Sequence, residues 1–236
     1  MGPDGNVVIM ASSPGGAAPW SLVSDGFQQA FDGVYGEVRG AALTELSDGR
    51  ILAMFTWHDA SDNRTAFNPQ TPSVWYRCYS SDGGRTFSGY APMVLRHPET
   101  GRPMRRPVLA GGIVKLPSGR GWIVCGEALE AEEGPETGFG KVRVGQVVQK
   151  AFALFTADGL TFSDPVLVAR DPTNRIYYWD QRGAAATAEP AGSGLDLVHA
   201  FWTHDADTAT DMDIHLSFGS SDSRTWQKPH STGLVG

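Results

Sequence analysis

Eight residues, Ser80-Ser-Asp-Gly-Gly-Arg-Thr-Phe87, return in two looser copies further along the chain, Thr156-Ala-Asp-Gly-Leu-Thr-Phe162 and Ser220-Ser-Asp-Ser-Arg-Thr-Trp226. A degraded fourth copy begins at Ser24-Asp25-Gly26-Phe27. The pattern is a turn with a mechanism. The Asp carboxylate accepts bonds from backbone N–H groups two or more residues on, Gly supplies positive φ, and the Thr hydroxyl closes the turn. The aromatic that follows starts a strand and packs beneath the turn. The second and third copies are one residue shorter between Asp and Thr, so their turn must be tighter. Each clear copy follows a β-rich run, so the chain is built from repeated β units.

A second repeat runs out of phase with the first. Leu46-Ser-Asp-Gly-Arg50 leads into Ile51-Leu-Ala-Met-Phe-Thr-Trp57, Leu116-Pro-Ser-Gly-Arg120 into Gly121-Trp-Ile-Val-Cys125, and Glu189-Pro-Ala-Gly-Ser-Gly194 into Leu195 to Trp202. Each is a tight turn followed by a strand. Before the turns stand Arg39-Gly-Ala-Ala-Leu43, Arg106-Pro-Val-Leu109 and Arg182-Gly-Ala-Ala-Ala186. One unit therefore reads as a first strand of small residues, a turn, a second strand, a longer loop, a third strand, the Asp turn and a fourth strand. Four antiparallel strands per repeat make the blade of a β-propeller, and small residues suit the strand crowded nearest the axis. The competing architecture is a β-sandwich with irregular loops. Gly2 to Met10 matches the turn and second strand of a further unit, giving one partial blade and three nearly whole ones. Residues 1–236 are expected to form a single domain, truncated at both ends relative to a complete ring.

Composition agrees. With 29 Gly and 15 Pro the chain is rich in turn formers, and no segment holds a helix period over several turns. Gln28 to Gly33 and Ala128 to Gly134 read as short helical turns. A net charge of −7 without a basic run argues against nucleic acid, and no apolar run approaches the length of a membrane span. No signal peptide stands at Met1. Cys78 and Cys125 fall on strands of neighbouring units and read as buried free thiols. No metal spacing or cofactor motif is present, and a monomer is expected.

The topology sorts residues by end. The first strand's start and the second strand's finish share one end of each blade, and the Asp turns lie at the other. At the first end fall Arg39, Arg106 and Arg182, with His58, Asp59, Glu127, His204 and Asp205 at the second-strand ends. The longest loops, Asp59 to Pro72 and Glu127 to Gly145, also open there, where function concentrates on a rigid scaffold. Several guanidinium groups around one mouth suit a carboxylate ligand, which they bind bidentately. The plainer alternatives are inter-blade ion pairs for the arginines and structural hydrogen bonds for the histidines.

Ser80, Asp82, Gly84, Thr86 and Phe87 match, position by position, Ser/Thr-x-Asp-x-Gly-x-Thr-Trp/Phe, so the repeat resembles the Asp-box, or bacterial neuraminidase repeat, of the sialidase superfamily. The resemblance implies a six-bladed ring, export to an extracellular or periplasmic space, and exo-hydrolysis of a terminal, acidic sugar from a glycan or glycoconjugate. It further implies an Arg triad for the substrate carboxylate, a Tyr nucleophile backed by a Glu, and an Asp acid/base on a loop. Carried over, Asp59 or Asp62 takes the acid/base place, Glu127 partners a Tyr, and Tyr178 or its neighbour Tyr177 is the nucleophile. Arg39, Arg106, Arg182, His58, His204 and Asp205 contact substrate. The chain departs from the pattern in three places. The Arg-Ile-Pro start is absent at Arg39-Gly-Ala, no motif marks a Tyr/Glu pair, and three arginines in consecutive blades are not the family's triad spacing. Alternative readings are a non-catalytic propeller that binds glycans or proteins, and a polysaccharide lyase or other hydrolase on the same scaffold.

Overall fold

The computed structural model describes residues 9–11, 19–24, 36–59, 73–104, 107–116, 119–131, 147–170, 185–188, 197–204, 212–219, 225–228 and 230–235. Every regular element among them is a β-strand. A short ribbon pairs β1 (Ile9–Ala11) with β2 (Ser21–Ser24). Three four-stranded antiparallel meanders follow. The first is β3 (Gly36–Glu45), β4 (Ile51–Asp59), β5 (Ser73–Ser80) and β6 (Ser88–Met93). The second is β7 (Pro107–Lys115), β8 (Trp122–Ala131), β9 (Val147–Thr156) and β10 (Val166–Arg170). The third is β11 (Ala185–Ala188), β12 (Leu197–His204), β13 (Met212–Gly219) and β14 (His230–Val235). The all-β fold of propeller blades expected from the repeats is therefore present, with the inner strands β3, β7 and β11 side by side. One expectation fails: Ala128 to Ala131 form no helical turn but continue β8, paired residue by residue with β9 as far as Ala131 opposite Val147.

Blades stacked face to face explain the sequence of the second strands. From Leu52 to Thr56 every residue of β4 is buried, because each face of the sheet meets a neighbour. That is why the run reads as continuously apolar rather than alternating. Leu52, Met54 and Trp75 face the second blade and join Trp122, Val124, Phe152 and Leu154 in one core cluster. Ala53, Phe55 and Cys78 face the other way, against Val23 of β2. Ile123, Cys125, Ala151, Ala153 and Val168 form the cluster on the far side of the second blade. Trp75 stacks on Phe152 with ring centroids 5.3 Å apart, a pair worth about 1 kcal/mol beyond the area it buries. It fits because position 126 is glycine: a Cβ there would lie 2.2 Å from Trp75 Cζ2. Cys78 and Cys125 are buried free thiols, as expected, and burial pushes both up to about 12.

The Asp turns are built as their sequences imply. After β5, Ser80 Oγ accepts from Gly84 N at 2.8 Å, and Asp82 Oδ1 accepts from Arg85 N at 3.0 Å and Thr86 N at 2.9 Å. Thr86 Oγ1 donates to Asp82 Oδ2 at 2.6 Å, and Gly83 and Gly84 take φ of 74° and 87°. After β9 the same scheme closes one residue sooner. Thr156 Oγ1 accepts from Gly159 N, and Asp158 Oδ1 accepts from Leu160 N and Thr161 N, all at 2.8 Å.

The second turn also reaches across to the first blade. Tyr79 donates its hydroxyl to Gly159 O at 2.8 Å, Arg77 Nη1 donates to Leu160 O, and the Arg77 guanidinium lies 5.4 Å above the Phe162 ring. The aromatic after each turn packs into the seam with the preceding unit: Phe87 against the cluster holding Val23, Phe162 against that holding Leu46, and Trp226 against that holding Cys125.

Two predictions follow from these turns. Gly159 has φ of 73°, and a Cβ there would lie 2.5 Å from Leu46 Cδ2. Gly159→Ala is expected to destabilise the chain by about 2 kcal/mol. Gly49→Ala, where φ is 82° but nothing stands within 4 Å, should cost less. Chemical denaturation checks both, and equal losses would remove the role assigned to the Leu46 contact. The second concerns pH. The Thr86 hydroxyl and backbone, with Ser80, hold the Asp82 carboxyl below its ordinary value of 3.8, and the Thr161 and Leu160 backbone does the same to Asp158. A depressed carboxylate contributes stability that is complete above the unfolded value and is lost as pH falls through the folded one. Stability should therefore drop below about pH 4. Asp82→Asn should be less stable at pH 7 and show a shallower acid limb in denaturation midpoints measured from pH 7 to pH 2.

Candidate functional site

Strand register defines the two ends of the blades. In the first blade Gly36 lies opposite Asp59 and Glu37 opposite His58, while Ile51 lies opposite Ser80. The starts of β3 and the finish of β4 therefore share the end remote from the Ser80 turn. The second blade repeats this, with Pro107 opposite Ala128 and Trp122 opposite Thr156, the residue that opens its own Asp turn. In the third, His204 closes β12 opposite Met212. The candidate mouth is the end carrying Gly36, Asp59, Pro107 and His204.

Of the sequence-derived site residues, Arg39, His58, Asp59, Glu127 and His204 lie on described strands. Asp62, Arg106, Tyr177, Tyr178, Arg182 and Asp205 lie outside the described residues. Two positions differ from the sequence reading. Arg39 does not start its strand: it is the fourth residue of β3, opposite Thr56 and beside the bulge at Gly40. Nor does Glu127 finish β8, which runs on to Ala131 because the β8–β9 hairpin continues past the last pair with β7. Glu127 is nonetheless level with Val108, the second residue of the inner strand β7.

The seam between the first two blades is polar at this end. Thr56 and His58 are on one face of β4, and Ser73 and Trp75 are their cross-strand partners on β5. All four are buried, His58 to 2% exposure. Thr56 Oγ1 accepts from Leu109 N at 2.7 Å, and Ser73 Oγ donates to Pro107 O at 2.6 Å. These hydroxyls bridge two blades whose strands are not otherwise paired. Just below, Gly40, with φ of 53°, presses on the same inner strand, where a Cβ would lie 2.3 Å from Leu109 O. The seam also fixes relative heights. Pro107 is held at the level of Ser73, His58 and Glu37, so Arg39 sits two residues lower, about 7 Å at the rise of a strand. Arg39 thus stands lower along the axis than Pro107, the first described residue of the next blade's matching motif.

Above the seam, Leu95 to Met104 form a small closed excursion between β6 and β7. His97 N donates to Arg102 O and Met104 N to Leu95 O, both at 2.8 Å, and Glu99 N donates to His97 Nδ1 at 3.1 Å. Leu95, His97 and Met104 are buried, so this connection is anchored at both ends. Sequence reasoning passed over Thr56, Ser73 and His97. The only signal for Thr56 was a hydroxyl inside an otherwise apolar run, and Ser73 carried no signal beyond its place at the head of a strand. No group of His, Cys, Asp and Glu able to hold a metal ion occurs among the described residues. Among them no helix is long and apolar enough to cross a membrane.

His58 is placed to pack rather than to meet solvent. His58→Ala should lower stability by about 2–3 kcal/mol, the cost of emptying a buried site of that size. Thermal unfolding measures it, and an unchanged midpoint would mean that the ring is not held in the seam.

No family model matches the chain, and no curated protein matches it. Solved structures do. A Hadza microbial sialidase superposes with a TM-score of 0.53 at 14% identity, over 84% of this chain and 38% of its own. An α-L-arabinofuranosidase of Fusarium graminearum, in complex with an iminosugar inhibitor, matches with a TM-score of 0.49 at 16% identity over 96% of this chain and 52% of its own. The NanB sialidase of Streptococcus pneumoniae gives 0.40 at 10% identity, over 93% and 55%. The chain thus shares the fold of the Hadza sialidase and spans well under half of that protein's length.

Proposed function

We propose that this chain forms part of a glycoside hydrolase of the sialidase type, which removes a terminal, acidic sugar from a glycan. The observation that carries the reading is the common end defined by register. The candidate acid/base Asp59 closes β4 directly opposite the start of β3, and Arg39, Glu127 and His204 stand on strands that open at the same end. The Asp turns occupy the other end, where the turn at Asp158 bonds to the preceding blade. The fold shared with a sialidase supports the same reading, as does the match of Ser80 to Phe87 to the Asp-box.

In this reading the arginines Arg39, Arg106 and Arg182 bind the sugar carboxylate. Asp59 or Asp62 protonates the leaving oxygen and later activates water. Tyr178, with Glu127 as its general base, attacks the anomeric carbon. A neutral phenol suits an anionic sugar because it does not repel the carboxylate. The level of Arg39, two residues below Pro107, together with the missing Arg-Ile-Pro start, favours the second reading, a propeller that binds acidic glycans without cleaving them.

Turnover of a 4-methylumbelliferyl sialoside separates the two. Asp59→Ala or Asp62→Ala should lower kcat by at least about 100-fold, the usual share of a general acid, while KM changes little. Retained binding of sialylated glycan with no release of 4-methylumbelliferone would select the binding module.

A further inference from the structure

We infer that Thr56 and Ser73 are positioning residues for the mouth: two buried hydroxyls of the first blade set where the inner strand of the second blade begins. The inference rests on the function proposed above, because the residue before Pro107 is the proposed carboxylate ligand Arg106. A propeller seam has no strand-to-strand ladder, so nothing in backbone pairing fixes how far one inner strand stands above its neighbour. Side-chain packing alone leaves sliding along the seam weakly opposed, since apolar contacts are non-directional. Hydrogen bonds are directional and distance-limited. The bond from Leu109 N to Thr56 Oγ1 and that from Ser73 Oγ to Pro107 O hold the first three residues of β7 at one height, using one donor and one acceptor of its backbone. Both bonds are buried, so water does not compete for them. On the other side, Met104 N donates to Leu95 O, so the described chain before β7 is also anchored to the first blade's excursion. The first blade thereby sets the height of one side of the pocket in the second.

Losing either hydroxyl frees β7 to shift and displaces a ligand group from the substrate carboxylate. Misplacement of this kind weakens binding while leaving the acid/base on β4 and its following loop where it was. Thr56→Val and Ser73→Ala are each expected to raise KM for a 4-methylumbelliferyl sialoside about tenfold, with kcat little changed, as Arg106→Ala should do more strongly. Thr56→Ser and Ser73→Thr keep the oxygens and should restore KM even where they do not restore the unfolding midpoint. A merely structural role would lower the midpoint and leave KM alone.

The outcomes separate cleanly. If Arg106→Ala raises KM but neither hydroxyl variant does, the positioning inference is overturned and the carboxylate clamp stands. If Arg106→Ala has no effect on either turnover or sialoside binding, the clamp itself fails and takes this inference with it. Should Thr56→Val not fold, Ser73→Ala and its threonine counterpart decide the matter alone.

Discussion

Face-to-face contact between successive sheets is the constraint from which the rest of this molecule follows. A blade has no core of its own. Its apolar surface is buried only by the blades on either side, which is why β4 carries an unbroken apolar run and why Trp75 lies wholly in the seam with the second blade. Close contact in turn demands glycine wherever a ring or a backbone carbonyl comes nearest. Gly126 admits the Trp75 ring, and Gly40 admits the carbonyl of Leu109. A methyl group at 126 would meet the Trp75 and Phe152 rings, and one at 40 the Leu109 carbonyl, so either would strain the packing of the seam.

The turns extend this logic to the edge of the seam. Asp158 gathers the backbone of its own turn, which leaves the carbonyls of Gly159 and Leu160 turned towards Tyr79 and Arg77 of the preceding blade. The turn is therefore both a chain reversal and a clasp. The clasps join blades at one end, and at the other the buried Thr56 and Ser73 hydroxyls supply directional contacts between the first two blades in place of the missing ladder.

Much of this was legible in the sequence because repetition exposes it. The turn of Ser80 to Phe87, its shortened copy at Thr156 and the hairpin turns at Leu46 and Leu116 follow from residue chemistry that acts within a few residues. Strands β2, β5 and β9 end at Ser24, Ser80 and Thr156, the residues that open each turn motif. What escaped was relational. The helical turn expected at Ala128 is a strand because β9 lies beside it, and neither partner's length can be read from the other's composition. Arg39 opens a motif similar to the one before Pro107, yet the bulge at Gly40 and the hydroxyl pins at Leu109 and Pro107 leave Arg39 two residues below the level of Pro107. For the site, sequence reasoning named one end of the blades and a set of candidate residues, with structural hydrogen bonding as the plainer role of His58. It gave no sign that His58 packs in a seam between blades or that Thr56 and Ser73 bridge that seam.

The central claim is that glycine and tryptophan on facing blades are fitted to each other. A double-mutant cycle on Gly126→Ala and Trp75→Leu tests it most directly, with stabilities from denaturant unfolding. Each single change should destabilise, but the pair should lose at least about 1 kcal/mol less than the sum, because removing the indole removes the nearer of the two rings that the new methyl would meet. Strict additivity would mean that the two residues do not meet, and that these sheets are not stacked as neighbouring blades.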